Sequence, residues 1–173
     1  MFVIVKRLIV YILEIIICFV IQSSMFHYAA LADIMPNLLV ILVASTAYLR
    51  GRIPGMLVGL FSGLLVDLMY GNYIVGLYAL LYMLIGYLMG FTNRFYSRDD
   101  YTLPIVIVGV SDFLYGFSYY VFEFLLRGRL NFLYYLRRFI FPEIIYTVAV
   151  SVFLYKLLHM INHRLERKPE EEV

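Results

Sequence analysis

The sequence has few charged residues, a single cysteine and no tryptophan. Charged residues make up 15% of the 173 positions and hydrophobic residues 64%, whereas a soluble domain is about half apolar and a quarter charged. A soluble fold of this length could not bury so much apolar surface. The lone cysteine, Cys18, excludes an intramolecular disulfide and a structural zinc site built on thiolates. The remaining class is an integral membrane protein.

The charge balance and the reactive side chains exclude further classes of function. Lys and Arg number 14 against 12 Asp and Glu, and a net charge of +2 is too small for nucleic-acid binding. His159 and His163 stand at helical spacing, but no third metal ligand is nearby. The chain shows neither a phosphate-binding loop nor a nucleophile in a recognisable setting. We therefore expect no catalytic residue, cofactor or metal, and no nucleic-acid partner.

Six apolar stretches are candidates for membrane-spanning helices, which need about 20 mostly apolar residues each. They lie at residues 8–26, 36–49, 53–70, 73–91, 102–126 and 139–161. The second is short, but it can extend backward through Pro36 because proline is tolerated in the first helical turn. The first contains Glu14 and is long for a secretory signal, so we expect it to stay uncleaved. The pattern predicts an all-α fold, a polytopic transmembrane helical bundle of about six spans.

The distribution of Lys and Arg predicts that both chain ends lie in the cytoplasm, because cytoplasmic loops carry the positive excess. This N-in/C-in arrangement puts ten basic residues inside and four outside. The ten are Lys6, Arg7, Arg50, Arg52, Arg94, Arg98, Lys156, Arg164, Arg167 and Lys168; the four are Arg127, Arg129, Arg137 and Arg138. In a five-span alternative, 102–126 re-enters the membrane or 127–138 lies on its surface. This alternative would change the side of the membrane on which the four arginines lie. We expect one membrane domain, residues 1–162, and a charged cytoplasmic tail, residues 163–173.

The third apolar stretch carries a glycine or an aspartate at every fourth position. Gly55, Gly59, Gly63, Asp67 and Gly71 recur along it, and this spacing places them on one helix face. Small residues four apart let a neighbouring helix approach closely, so this face is predicted to contact protein. An acid near a helix C-terminus opposes the macrodipole. We interpret Asp67 as an interhelical hydrogen-bond anchor, with an ion or proton site as the alternative.

Two further acidic residues lie within apolar stretches. Asp112 falls near the middle of 102–126, where an unpaired carboxylate is costly, so it either is protonated or faces a partner group. Glu14 is expected to face the bundle or the helix of a partner. Arg137 and Arg138 belong to segment 127–141, which alternates arginines with aromatics and is expected in the outer headgroup region. These two arginines contact either lipid phosphates or an extracytoplasmic partner.

The chain resembles a known family in one motif. After Pro36 and Asn37, the pattern D-x-x-x-G-x-x-x-x-G-x-x-A-L begins at Asp67 and passes through Gly71 and Gly76. This is similar to the bacterial rod shape-determining protein MreD family. The resemblance implies a non-enzymatic membrane scaffold of the cell-elongation machinery in the bacterial cytoplasmic membrane. It also implies that Pro36, Asn37, Asp67, Gly71 and Gly76 are structural or partner-binding positions.

The partners that the resemblance implies are other parts of the same machinery. MreC, a single-span protein, is the direct one, and the pair is expected to link cytoplasmic MreB filaments with the RodA glycosyltransferase and its class B transpeptidase partner. The outcome would be lateral peptidoglycan synthesis and a rod-shaped cell. Membrane lipids are the remaining partner.

Two alternatives belong to other classes of protein. The substrate-binding membrane subunits of energy-coupling-factor vitamin transporters have a similar size and span count. They typically carry an alanine-x-x-x-alanine stripe on the first helix, and the segment from Leu8 to Ile21 contains neither Ala nor Gly. A membrane enzyme acting on a lipid-linked precursor would use Asp67, Asp112 and the outer arginines, and would need a water-filled cavity that joins them.

Overall fold

The computed structural model describes residues 2–28, 34–70, 76–97, 100–123 and 131–166. Every regular element in these ranges is a helix, which confirms the predicted all-α bundle. The elements are α1 (Phe2–Tyr28), α2 (Leu38–Arg50), α3 (Arg52–Tyr70), α4 (Leu77–Met89), a 3₁₀-helix (Gly90–Phe95), α5 (Thr102–Glu123), α6 (Phe132–Tyr135), a π-helix (Leu136–Ile140) and α7 (Phe141–Glu166). Among the described residues, four helical stretches are long and apolar enough to cross a membrane.

The short helix α2 lies at the centre of the bundle. Its 13 residues rise only about 20 Å, less than the roughly 30 Å of a hydrocarbon core. Every residue from Leu38 to Leu49 is buried, packed among α1, α3, α4, α5 and α7. A helix that is apolar on all sides is one that other helices enclose. The prediction that it extends back through Pro36 was wrong, because Asn37 occupies the N-cap position and ends the helix there.

Helix α4 is also short, with 13 residues. The 3₁₀-helix Gly90–Phe95 follows it directly, and the two together rise about 30 Å. The predicted fourth span, 73–91, is therefore found as a helical stretch at 77–95, while residues 73–75 lie outside the described ranges. A single glycine joins the two preceding helices: Gly51 adopts φ 95° between α2 and α3, a left-handed conformation that suits glycine.

The glycine face of α3 packs directly against α4 of the same chain. A Cβ atom added at Gly55, Gly59 or Gly63 would overlap backbone atoms of α4, and one added at Gly86 of α4 would overlap the backbone of Gly55. The two helix backbones are therefore in van der Waals contact along several turns. Such close packing supplies the dispersion energy that holds helices together in lipid, where no hydrophobic driving force acts between them.

The last helix begins earlier than predicted. α6, the π-helix and α7 follow one another without a break, so the predicted start at residue 139 is corrected to Phe132. Pro142 accounts for the π-helix, because proline has no N–H and its ring clashes with the carbonyl four residues earlier in an α-helix. At the other end α7 continues to Glu166, so the first part of the predicted tail is helical. Residues 127–130 and 167–173 lie outside the described ranges.

Close contacts fix the register between α5 and α7, which run antiparallel. A Cβ at Gly116 would lie 3.1 Å from the Ile140 side chain, and one at Gly109 would lie 3.3 Å from the Val148 side chain. Residues 141–147 of α7 therefore lie beside the middle of α5. Because the helix starts at Phe132, these residues lie well inside the bundle, whereas a start at residue 139 would have put them at its end.

The close contact between the glycine face of α3 and the backbone of α4, which we call the glycine seam, allows a test of stability. Gly59→Leu should lower the free energy of unfolding by at least the roughly 1–3 kcal/mol typical of an overpacked core, because the side chain would have to displace the α4 backbone. The measurement is thermal unfolding at fixed pH. The unfolded fraction is monitored through the labelling of Cys18, the single cysteine, which is buried in the folded protein. Leu57→Phe is the matched control, since it adds bulk at an exposed position of α3. Equal midpoints for the two variants would contradict the tight seam.

Candidate functional site

Buried polar side chains surround the start of α2. The Asn37 side-chain oxygen accepts a hydrogen bond from the Val40 N–H at 3.2 Å and one from the Tyr82 hydroxyl at 3.0 Å. The Asn37 N–H donates to Thr147 Oγ1 at 3.1 Å. Asn37 therefore caps α2 and at the same time joins it to α4 and α7. All four residues are buried, so none of these bonds competes freely with water.

The first turn of α2 lies inside the bundle, at the level of Thr147. Helix α1 reaches this level with Gln22, whose side-chain oxygen accepts a hydrogen bond from the Leu39 N–H at 3.1 Å. The first N–H groups of a helix have no partner within that helix, and at membrane depth each unsatisfied group costs several kcal/mol. The side chains of Gln22 on α1, Thr147 on α7 and Asn37 itself therefore accept the hydrogen bonds that water accepts at the surface of a soluble protein.

Two carboxylates lie next to this network. Asp112 on α5 is 2% exposed and lies beside Thr147, yet neither of its oxygens makes a hydrogen bond of normal geometry. Glu143, one helical turn before Thr147 on α7, is close enough for its charge to repel that of Asp112. We call Asn37, Tyr82, Asp112, Glu143 and Thr147 the polar centre.

Tyrosine rings form one wall of the polar centre. Tyr78 stacks on Tyr115 and on Tyr119 with ring centroids 6.3 and 5.9 Å apart, and Tyr82 lies 5.3 Å from Tyr115. These rings belong to α4 and α5 and close the space between the two helices. Aromatic pairs at such distances add packing energy beyond the area they bury, so this wall is a stable boundary of the centre.

Asp67 caps the start of α4. Its carboxylate accepts hydrogen bonds from the Tyr78 N–H at 3.4 Å and the Ala79 N–H at 3.0 Å. The N-cap position itself is Gly76, which has φ 91° and no side chain with which to cap the helix. An acid that opposes the dipole of its own helix here stabilises the positive end of a neighbouring helix. Gly71, the other glycine of the motif, lies outside the described residues.

A second polar cluster lies at the far end of the bundle, near the turn between α2 and α3. Arg50 donates from Nη1 to Glu14 at 3.3 Å and from Nε to the Asn162 side-chain oxygen at 2.8 Å. Its guanidinium also lies over the Tyr11 ring, 4.5 Å from the centroid. Glu14 thus faces the bundle, one of the two orientations expected from the sequence. The cluster fastens α1 and α7 to the end of α2.

Arg137 and Arg138 lie apart from the buried sites. Both are exposed and belong to the π-helix. Together with Leu133 and Tyr134 they line a shallow surface groove. Within the described part of the chain, neither arginine forms an ion pair. Their charges are therefore available to a ligand or to lipid on the outside of the bundle.

The structure brings some predicted residues together and separates others. Asn37, which Pro36 precedes, and Asp112 meet in the polar centre, while Asp67 caps α4, the helix that carries Tyr82. The sequence reasoning missed Tyr82, Thr147 and Glu143. Glu143 could have been found, because it is an acid in an apolar stretch, but the predicted start of the last span at residue 139 placed it near a helix end. The described residues contain no group of three His, Cys, Asp or Glu side chains suited to a metal.

The capping role of Asp67 can be tested by two substitutions. Asp67→Asn keeps an oxygen that can accept a backbone hydrogen bond, so its thermal midpoint should stay close to wild type. Asp67→Leu leaves two buried N–H groups unsatisfied and should cost about 0.5–2 kcal/mol. The measurement is thermal unfolding together with amide exchange at Tyr78 and Ala79. If Asp67→Asn were as damaging as Asp67→Leu, the negative charge and not the hydrogen bonding would be the essential property.

Comparisons with known proteins identify the family. No curated protein and no solved structure matches the chain. The family model described as rod shape-determining protein MreD matches residues 3–163, which includes every helix described above almost in full. The match covers both the glycine seam and the polar centre, and the apolar helices agree with a multi-pass protein of the inner membrane. The chain belongs to the MreD family of rod shape-determining proteins.

Proposed function

We propose that this protein is a non-enzymatic membrane scaffold of the cell-elongation machinery. In this role it binds MreC and helps to couple MreB filaments to lateral peptidoglycan synthesis by RodA and a class B transpeptidase. The observation that carries the proposal is the family match over residues 3–163, since the family has a role in rod shape determination. The architecture agrees with a scaffold, because its polar side chains are used to hold helices together.

The proposal also includes an orientation, with both chain ends in the cytoplasm. In that orientation the Arg50–Arg52 turn and the 3₁₀-helix form a stiff cytoplasmic end. The Arg52 guanidinium lies 3.9 Å from the centroid of the Phe91 ring, and the Asn93 side-chain nitrogen donates to the Tyr48 carbonyl at 2.6 Å. Such cross-links support a fixed cationic surface, which suits contact with a cytoplasmic assembly better than a mobile loop would.

Binding to a single-span partner would use one of the exposed apolar helix faces. Ile16 on α1, Phe117 on α5 and Phe153 on α7 are each exposed on a different helix. In lipid, a partner helix associates through close packing and not through burial of apolar area from water. A partner therefore covers one face and leaves the others to lipid.

The experiment replaces these three positions, one at a time, with a photo-crosslinking amino acid in the native cell. We expect a crosslink to MreC from one face and lipid-only products from the other two, which act as matched controls. Affinity purification of the tagged wild type should recover MreC with the cell-wall synthases. Recovery of transporter ATPases in its place would favour the vitamin-transporter subunit. Absence of MreC from both experiments would contradict the scaffold.

The orientation has its own test in a variant with Cys18 replaced by serine. A cysteine introduced at Asn131, just before α6, should react with an impermeant thiol reagent added outside the cell. One introduced at Ser97, after the 3₁₀-helix, should react only after the membrane is opened. The two positions lie at opposite ends of the described bundle and are both exposed, so each controls for the reactivity of the other. The reverse pattern would invert the proposed orientation.

A further inference from the structure

We propose that the polar centre binds one monovalent cation, a proton or Na⁺, between the carboxylates of Asp112 and Glu143. This inference goes beyond the scaffold role and does not depend on it. It rests on the placement of the two acids, on the lack of a positive partner for them, and on the chemistry of the groups around them.

The helix register brings the two acids together. The contacts of Gly109 with Val148 and of Gly116 with Ile140 bracket Asp112 on both sides. The stretch of α7 between those contacts presents Glu143, and Thr147 lies four residues further on, so the two share one helix face. Asp112 therefore points at a stripe that offers a carboxylate and a hydroxyl oxygen. The absence of Cβ atoms at the two glycines lets the helices approach closely enough for this.

The carboxylates have no positive partner of their own. Within the described residues, the Arg50–Glu14 pair at the other end of the bundle is the one salt bridge. Asp112 is 2% exposed, and the polar neighbour found beside it among the described residues is Thr147. Two negative charges in a water-poor site repel each other strongly, and each alone is costly at membrane depth. A bound cation reduces both penalties.

Among the described residues, the other titratable groups that face this pair cannot supply a positive charge. They are all tyrosines: Tyr82 and Tyr115 from the α4 and α5 wall and Tyr135 from α6 face Glu143, and Tyr82 also faces Asp112. A tyrosine is either neutral or negative. No described side chain therefore supplies the compensating charge, and an occupant of the site would.

The surrounding groups select a small monovalent ion. The available ligands are carboxylate and hydroxyl oxygens, which hard cations prefer to nitrogen or sulfur. Ca²⁺ takes six to eight oxygens, whereas the two carboxylates and the Thr147 hydroxyl together offer five. A single positive charge leaves one net negative charge, which the roughly half positive charge at the start of α2 partly offsets. Glu143 is only partly buried, so the pair is not completely enclosed by the described helices.

The experiment uses the full chain in lipid nanodiscs and measures its thermal unfolding by far-ultraviolet circular dichroism. One arm exchanges Na⁺ for choline at constant ionic strength and fixed pH. The other lowers the pH without Na⁺. A ligand that binds the folded state raises the unfolding midpoint, so we expect the wild-type midpoint to rise in at least one arm. A rise with Na⁺ at fixed pH identifies sodium, and a rise only with falling pH identifies a proton.

Two variants show whether the response comes from the pair. Asp112→Asn and Glu143→Gln should each abolish a sodium response and reduce a proton response, and each should be at least as stable as wild type in the cation-free state, because they remove the repulsion. Asp67→Asn is the matched control, since it neutralises a buried, hydrogen-bonded acid elsewhere, and it should keep the wild-type response. A wild-type midpoint that responds in neither arm would overturn the proposal, as would variants that respond like wild type.

Discussion

The structure depends on satisfying backbone N–H groups at the start of a helix that no water reaches. Helix α2 begins inside the bundle, where Asn37, Gln22 and Thr147 provide the hydrogen bonds that solvent would otherwise supply. Because these groups belong to α1, to α7 and to the segment before α2, the cap also fixes the positions of three parts of the chain. The same constraint recurs at α4, where the acceptor is Asp67 of α3. In lipid, irregular backbone is tolerated only where protein encloses it.

Two kinds of contact then complete the bundle. Along α3 and α4, glycines allow backbone-to-backbone packing, which needs no polar group. Across α2, polar residues at both ends tie the surrounding helices to the central one, with the partly buried Arg50 at one end and the buried Asn37 at the other. This chain, a member of a family with a role in rod shape determination, combines a closely packed interior with an apolar exterior. In the proposed scaffold, the interior keeps the outer faces at fixed relative positions while partners bind them.

The sequence allowed the helical class, the four long helices and the packing face of α3 to be predicted, because each depends on local periodicity. It could not identify α4 as the neighbour of that face, since glycine spacing shows only that some helix approaches. Asn37 is a recognisable N-cap residue, but Thr147, which binds it, lies 110 residues away. Glu143 was missed because the predicted start at residue 139 placed this acid near the end of a helix, whereas the helical stretch begins at Phe132 and carries it deep into the bundle. Contacts between distant segments carry no local signal.

The enclosure of α2 has a consequence for the way the protein is made. A helix of about 20 Å with no lipid-facing side chain gains little by leaving the insertion machinery for the bilayer on its own. The helices that enclose it include α5 and α7, which the ribosome delivers after α2, and α7 closes the described chain. Helix α2 is therefore made early but is fully enclosed only after α7 has been made. Nascent chains of this protein spend most of their synthesis with an unfinished core.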